Sequence, residues 1–238
     1  MNIQKEFRVL VGTMYNREND YDECLAMIGA QKGVQITQHI ICEKNEYDAH
    51  LELYGHWKNV SHQYDVFAKI DADMILKDNT CILRASKELV RYVEQGFASI
   101  SCPLYDFFLE DQIHGMHFYS GDISKNYSYI QKQKSKVFCD DIDVHEKSKT
   151  LFSKDESQFD VIPIGYHCKN PNEKQSFFWG FHRGTKGRNV YDKLMASNKR
   201  KPHPMKEIAL YAYTIGKKYP NTLLTEDIAQ SFINSYKK

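Results

Sequence analysis

Several things are missing from this chain, and each absence removes a class of function. No apolar run approaches the length needed to cross a membrane. Neither sign of charge dominates: 32 Lys and Arg stand against 31 Asp and Glu, giving a net charge near +1. A general nucleic-acid binder would need a basic excess, so no nucleic-acid partner is expected. The six cysteines (Cys24, Cys42, Cys81, Cys102, Cys139 and Cys168) contain no Cys-x-x-Cys pair. Scattered thiols of this kind read as small buried hydrophobes in a reducing compartment. The opening residues, Met1 to Arg8, lack the apolar core of a signal peptide. Together these features predict a cytoplasmic protein. No internal repeat or low-complexity linker is present.

What is present is enough chain for one large domain: 238 residues with 16 Tyr and 13 Phe. Phe7 to Thr13 reads as a first strand, closed by Gly12-Thr13. Asp20-x-x-Glu23 predicts a capping box, and the following helix ends near Gly33. Gln38 to Glu43 is a second strand. Strand, helix, strand in 45 residues is a crossover unit, which makes a parallel sheet. A second helix begins at Glu46 and carries His50, a structural residue or a lining one. A third helix runs from Cys81 to Val93, and a strand from Phe97 to Cys102 is stopped by Pro103. His114 to Ser120 and Phe159 to Gly165 read as later strands.

The stretch with chemistry in it is Phe67-Ala-Lys-Ile-Asp-Ala-Asp-Met-Ile-Leu76. An apolar strand ends in Asp71 and Asp73. Residues two apart on an extended chain face the same side, so both carboxylates would aim at one point. Two like charges there need a cation between them or full solvation. A hard divalent ion that takes oxygen ligands answers the first case. A strand-end turn with two solvated aspartates answers the second.

Lys69-Ile-Asp-Ala-Asp-Met-Ile75 resembles the Asp-x-Asp motif of GT-A-fold glycosyltransferases, family-2-like enzymes that use nucleotide sugars. Val11 to Glu18 with Tyr21 to Gln31 is similar to the opening of such enzymes. The resemblance is strongest over residues 7–76 and 160–188 and thin between. It implies a GT-A-type, Rossmann-like α/β fold with a mixed, mainly parallel sheet flanked by helices. Residues 1–198 would be catalytic, with 1–96 binding the nucleotide sugar and 97–198 completing the acceptor and metal side. Residues 199–238 would be a C-terminal helical extension.

The resemblance also implies roles. Asp71, Asp73 and His167 would hold Mn²⁺ (or Mg²⁺), with histidine tilting the choice toward Mn²⁺. Thr13, Glu18, Glu43, Asp71, Lys174 and Arg183 would contact the nucleotide sugar, with Lys169 and Lys186 adding positive charge. Asp141 or Asp140 would be the catalytic base, although the family places its acidic pair before a late helix. Asp106, Glu110 and Asp111 stand behind them.

The donor would be a nucleoside diphosphate sugar, UDP-type favoured. The acceptor would be a saccharide or glycolipid hydroxyl in surface polysaccharide synthesis. The C-terminal helices, Pro204 to Tyr219 and Leu224 to Tyr236, either pack on the core or contact another domain or the inner membrane surface. Two other readings stand beside this one: an inactive nucleotide-sugar-binding module, and a metal-dependent nucleotidyltransferase. The second would carry a Gly-rich loop after the first strand, and Gly12-Thr-Met-Tyr-Asn-Arg17 has one glycine. Zinc held by Cys139, His145, His167 and Cys168 matches no standard spacing.

Overall fold

The computed structural model describes residues 6–94, 97–121, 149–151, 163–220, 222 and 224–236. The first strand, β1 (Phe7–Tyr15), is buried through its middle. Its alternation sends Val9 and Val11 to one face of the sheet and Leu10 to the other. On the first face they meet Cys24 and Ile28 of α1 (Tyr21–Gly29) and Ile82, Ala85 and Leu89 of α3 (Cys81–Val93). On the second, Leu10 and Phe67 meet Leu53 and Trp57 of α2 (Glu46–Val60). A strand covered on both sides must be apolar throughout, and Val66, Phe67 and Ala68 of β3 (Val66–Lys69) meet that demand.

The remaining strands are β2 (Val34–Cys42), β4 (Met74–Leu76), β5 (Phe97–Asp106), β6 (Asp111–Ser120), β7 (Lys149–Leu151) and β8 (Gly165–His167). They run in the order β2-β1-β3-β6-β5-β8-β4, with β7 also beside β5. Among the described residues parallel pairings outnumber antiparallel ones, four to three. This is the mixed, mainly parallel α/β sheet the sequence predicts.

One feature of the order positions the site. β3 and β4 are joined by only Ile70 to Asp73, yet three strands lie between them. In a flat sheet those four inter-strand steps would span about 19 Å. The five Cα steps from Lys69 to Met74 reach at most about 18 Å fully extended, and this segment is a turn. The sheet therefore curls, and its β8–β4 edge comes round to the end of β3.

Several local expectations are corrected. Asp71 and Asp73 lie in the turn after β3 and not on an extended strand end, with Met74 N bonded to Asp71 O at 2.9 Å. Pro103 does not stop β5: the strand continues to Asp106 because the ladder shifts register at Cys102/Pro103, a bulge that spares the missing N–H. Asp20 makes no cap to α1. The capping box belongs to Asn172 and Gln175, at the start of α4 (Glu173–Thr185).

The C-terminal part is helical: α4, α5 (Tyr191–Arg200), α6 (Pro204–Lys218) and α7 (Glu226–Tyr236). Phe177 and Phe181 of α4 share a core with Ile208 and Ala212 of α6 and Ala229 and Ile233 of α7. A second cluster, with Trp179, Leu194 and Ala209, carries Phe108 and Cys168 from the sheet side. Lys206 is 1% exposed and gives its charge to Glu110 at 3.0 Å.

Candidate functional site

The site is built where the curled edge meets the end of β3. The β4–β8 ladder pairs Met74 with His167, and the β5–β8 ladder pairs Asp106 with His167. Cys168 N donates to Asp73 O at 2.8 Å, which extends the pairing one residue beyond β4. Asp73, Asp106 and His167 thus meet from three chain segments.

His167 Nδ1 lies 2.7 Å from Asp106 Oδ2, and His167 Nε2 lies 3.3 Å from Asp73 Oδ2. Asp106 is fully buried. It also accepts from Trp179 Nε1 at 3.3 Å and from Leu109 N at 2.8 Å. Burial raises a carboxyl's pKa, but the hydrogen bond and charge of His167 outweigh it, and Asp106 is held below the usual range. An ionised carboxylate only accepts, so His167 Nδ1 carries a proton. Burial opposes charge on His167, yet Asp73 and Asp106 lift its pKa well above the ordinary histidine value. Burial works against Asp73 as well; His167, Cys168 and Lys69 bring its pKa down to about 2.

Acidic groups surround this centre. Glu18 follows β1, half-buried, and accepts from Asn16 N at 2.5 Å. Burial, with the charges of Asp73 and Asp71 added, pushes its pKa up to about 7. Asp20 is buried and accepts from Asn170 N at 3.1 Å, tying the loop after β1 to the segment after β8. Asp71 Oδ2 takes Lys69 Nζ at 2.6 Å, and Lys69 is 4% exposed. Asp71 Oδ1 is buried with no hydrogen-bond partner. Carboxylates whose charges act together on Glu18, with one buried oxygen unpartnered, would be relieved by a cation.

The residues singled out in the sequence divide into three groups. Asp73 and His167 meet directly, and the charges of Asp73 and Asp71 both act on Glu18. Thr13 lies buried near the end of β1 with its Oγ1 unpartnered. Arg183 stacks its guanidinium on the Trp179 ring at 3.8 Å, near the Asp106 carboxylate. Glu43 and Lys174 are each held in another ion pair: exposed Glu43 faces Arg17 at 3.6 Å, and half-buried Lys174 holds Glu226 at 2.5 Å. Asp140 and Asp141 lie outside the described residues, as do Cys139 and His145.

The acids considered behind them are engaged elsewhere. Asp106 serves His167, Glu110 serves Lys206, and Asp111 faces Lys193 at 3.0 Å. Lys169 pairs with Glu23 at 2.6 Å.

Two residues gain roles that sequence reasoning did not assign. Asp106 orients His167, and Cys168 presents its thiol to Asp73 Oδ2 at 3.2 Å. The acidic, aromatic run Leu104 to Asp111 marked the neighbourhood of Asp106 but did not separate it from Glu110 and Asp111.

No family model matches the chain, and no curated protein matches it. Among solved structures it is similar to the mannosyltransferase PcManGT from Pyrobaculum calidifontis, in complex with GDP-Man and Mn²⁺. Identity is 10%, over 98% of this chain and 81% of that one, with a TM-score of 0.44. It is also similar to A197 from STIV, at 11% identity over 51% of this chain and 69% of that one, with a TM-score of 0.38. At these values neither neighbour says what this chain binds or does.

Proposed function

We propose that this chain is a metal-dependent glycosyltransferase. It moves a sugar from a nucleoside diphosphate sugar, UDP-type favoured, to a hydroxyl of a saccharide or glycolipid in surface polysaccharide synthesis. The observation that carries the reading is the meeting of Asp73 and His167 at 3.3 Å, with Asp106 bonded behind the imidazole. Asp73 of the Asp-x-Asp segment and a late histidine 94 residues on lie side by side, which supports the reading.

The donor set fits Mn²⁺, or Mg²⁺ less well. Asp73 Oδ2 and His167 Nε2 would hold the ion, with Asp71 as the further ligand the resemblance implies. A bound ion supplies Lewis-acid stabilisation of the departing diphosphate. The chain's own residues do the rest. Asp106 holds the Nδ1 proton and so fixes the ring. Arg183, braced on Trp179, adds positive charge near the cluster. Glu18 and Thr13 line the end of β1, where an α/β sheet places its ligand.

Asp141 or Asp140 takes the proton of the acceptor hydroxyl as its oxygen bonds the anomeric carbon and the diphosphate oxygen leaves. Residues 1–198 form the catalytic unit and 199–238 the helical extension. The protein works in the cytoplasm, with the extension docking on a second domain or the inner membrane surface. Among the described residues no helix is long and apolar enough to cross a membrane.

The test is turnover. With Mn²⁺ and UDP-sugars the protein releases UDP, Asp73→Ala does not, and Asp141→Asn or Asp140→Asn loses transfer while retaining nucleotide binding. Full turnover by Asp73→Ala sinks the reading.

A further inference from the structure

Cys168 has an unusual setting for a structural cysteine. It is 2% exposed and adopts a left-handed backbone with φ +51°. A non-glycine residue there is uncommon and carries strain. Cys168 N is bonded to Asp73 O, and the side chain borders both the site and the apolar cluster of Phe108 and Trp179. Sγ lies 3.2 Å from Asp73 Oδ2 and 3.7 Å from His167 Nε2. The third side of this triangle, Asp73 Oδ2 to His167 Nε2, is 3.3 Å.

Those three lengths can be compared with a coordination polyhedron. Zinc bonds oxygen and nitrogen at about 2.0 Å and sulfur at about 2.3 Å, in tetrahedral geometry. The edges of such a tetrahedron are about 3.3 Å for oxygen to nitrogen and about 3.5 Å for either to sulfur. The observed triangle matches one face of it within about 0.3 Å. Three protein donors with a fourth position left over is the pattern of a catalytic zinc site. The second shell is also built, since Asp106 fixes the Nδ1 proton and leaves Nε2 facing the triangle.

We propose that Cys168 is a metal ligand, and that Asp73, His167 and Cys168 form a three-donor site selective for a thiophilic divalent ion of the zinc class. This rests on the Asp73–His167 metal site of the reading above, and on neither its nucleotide nor its sugar. On binding, the thiol gives its proton to solvent and the imidazole gives up its Nε2 proton. The metal takes the place now held by the hydrogen bonds from Cys168 and His167 to Asp73. A thiolate donor ranks zinc above Mn²⁺ and Mg²⁺, which prefer oxygen, so Mn²⁺ fills the same site only at higher concentration. Zinc's general advantage over manganese would exist without the thiolate, so the sulfur itself must be observed.

The test is a cobalt titration of the purified chain without nucleotide. The expected result is a sulfur-to-cobalt charge-transfer band saturating at one ion per chain. An excess of Zn²⁺ erases it, and an equal concentration of Mn²⁺ does not. Cys168→Ser loses the band, and its Zn²⁺ affinity falls at least about tenfold. X-ray absorption on the zinc-loaded wild type needs no variant and should show one sulfur at about 2.3 Å. An oxygen-and-nitrogen shell alone, or a cobalt band unchanged in Cys168→Ser, overturns the proposal. A sulfur-ligated ion in a protein that binds no nucleotide keeps this site and removes the transferase reading. Mn²⁺-dependent nucleotide binding with no sulfur shell does the reverse.

Discussion

Asp106 and His167 are 61 residues apart in the chain and face each other in the β5–β8 ladder, with Oδ2 and Nδ1 2.7 Å apart. This bond sets the imidazole's tautomer and so decides which nitrogen is left for an ion. Asp106→Asn keeps the shape and the acceptor for Leu109 N but loses the charge. Metal affinity should fall about 10–100-fold, as for other outer-shell partners of a ligating histidine. Calorimetric titration with Mn²⁺ and Zn²⁺ measures it. Unchanged affinity would make Asp106 a packing residue only.

Glu18 should make stability depend on pH. Its carboxyl titrates near pH 7 in the fold against an ordinary value of 4.5. The folded protein therefore holds a proton that the unfolded chain has already lost. The relative stability this brings is complete below pH 4.5 and is lost as pH rises through 7. Each pKa unit is about 1.4 kcal/mol, so the upper bound is about 3.5 kcal/mol, reduced toward about 1 by solvent at a half-buried site. Glu18→Gln should match the wild type at pH 4.5 and melt several degrees higher at pH 8. Saturating Mn²⁺ should narrow the gap, because a cation offsets Asp71 and Asp73. Equal melting curves across this range would place Glu18 in solvent.

Gly180 and Gly55 should respond to alanine in opposite directions. A Cβ on Gly180 would lie 2.1 Å from the backbone oxygen of Ala209, so α4 and α6 would have to separate. Overpacking of this kind costs about 1–3 kcal/mol or more. It would also shift Trp179 and Arg183, which flank Asp106. A Cβ on Gly55 meets nothing within 4 Å, and in the interior of α2 alanine should stabilise by about 0.5–1 kcal/mol. Thermal melts of the two variants settle both.

Much of the first half is legible in the residues. The alternation in β1, the apolar run of β3 and the helical spacing of α3 are local signals, and each element forms where its pattern lies. Pairing across the sheet is not local. Nothing near Asp106 marks it as the partner of His167, because the register of β5 on β8 makes that contact. The Asp71–Asp73 spacing predicts a shared direction only on an extended strand. The turn at Ala72 gives Asp71 to Lys69 and Asp73 to His167. Cys168 stood in the sequence only beside His167 in a zinc set of no standard spacing; its meeting with Asp73 comes through a left-handed backbone that its neighbours do not encode.

The most direct test of the central claim is a thermal-shift panel of UDP, GDP, CDP and dTDP, each with and without Mn²⁺. A ligand bound only by the fold raises the melting temperature by mass action. The account predicts a rise with one nucleotide, UDP favoured, that requires Mn²⁺ and disappears in Asp73→Ala. No shift with any nucleotide, or an equal shift in Asp73→Ala, would contradict it.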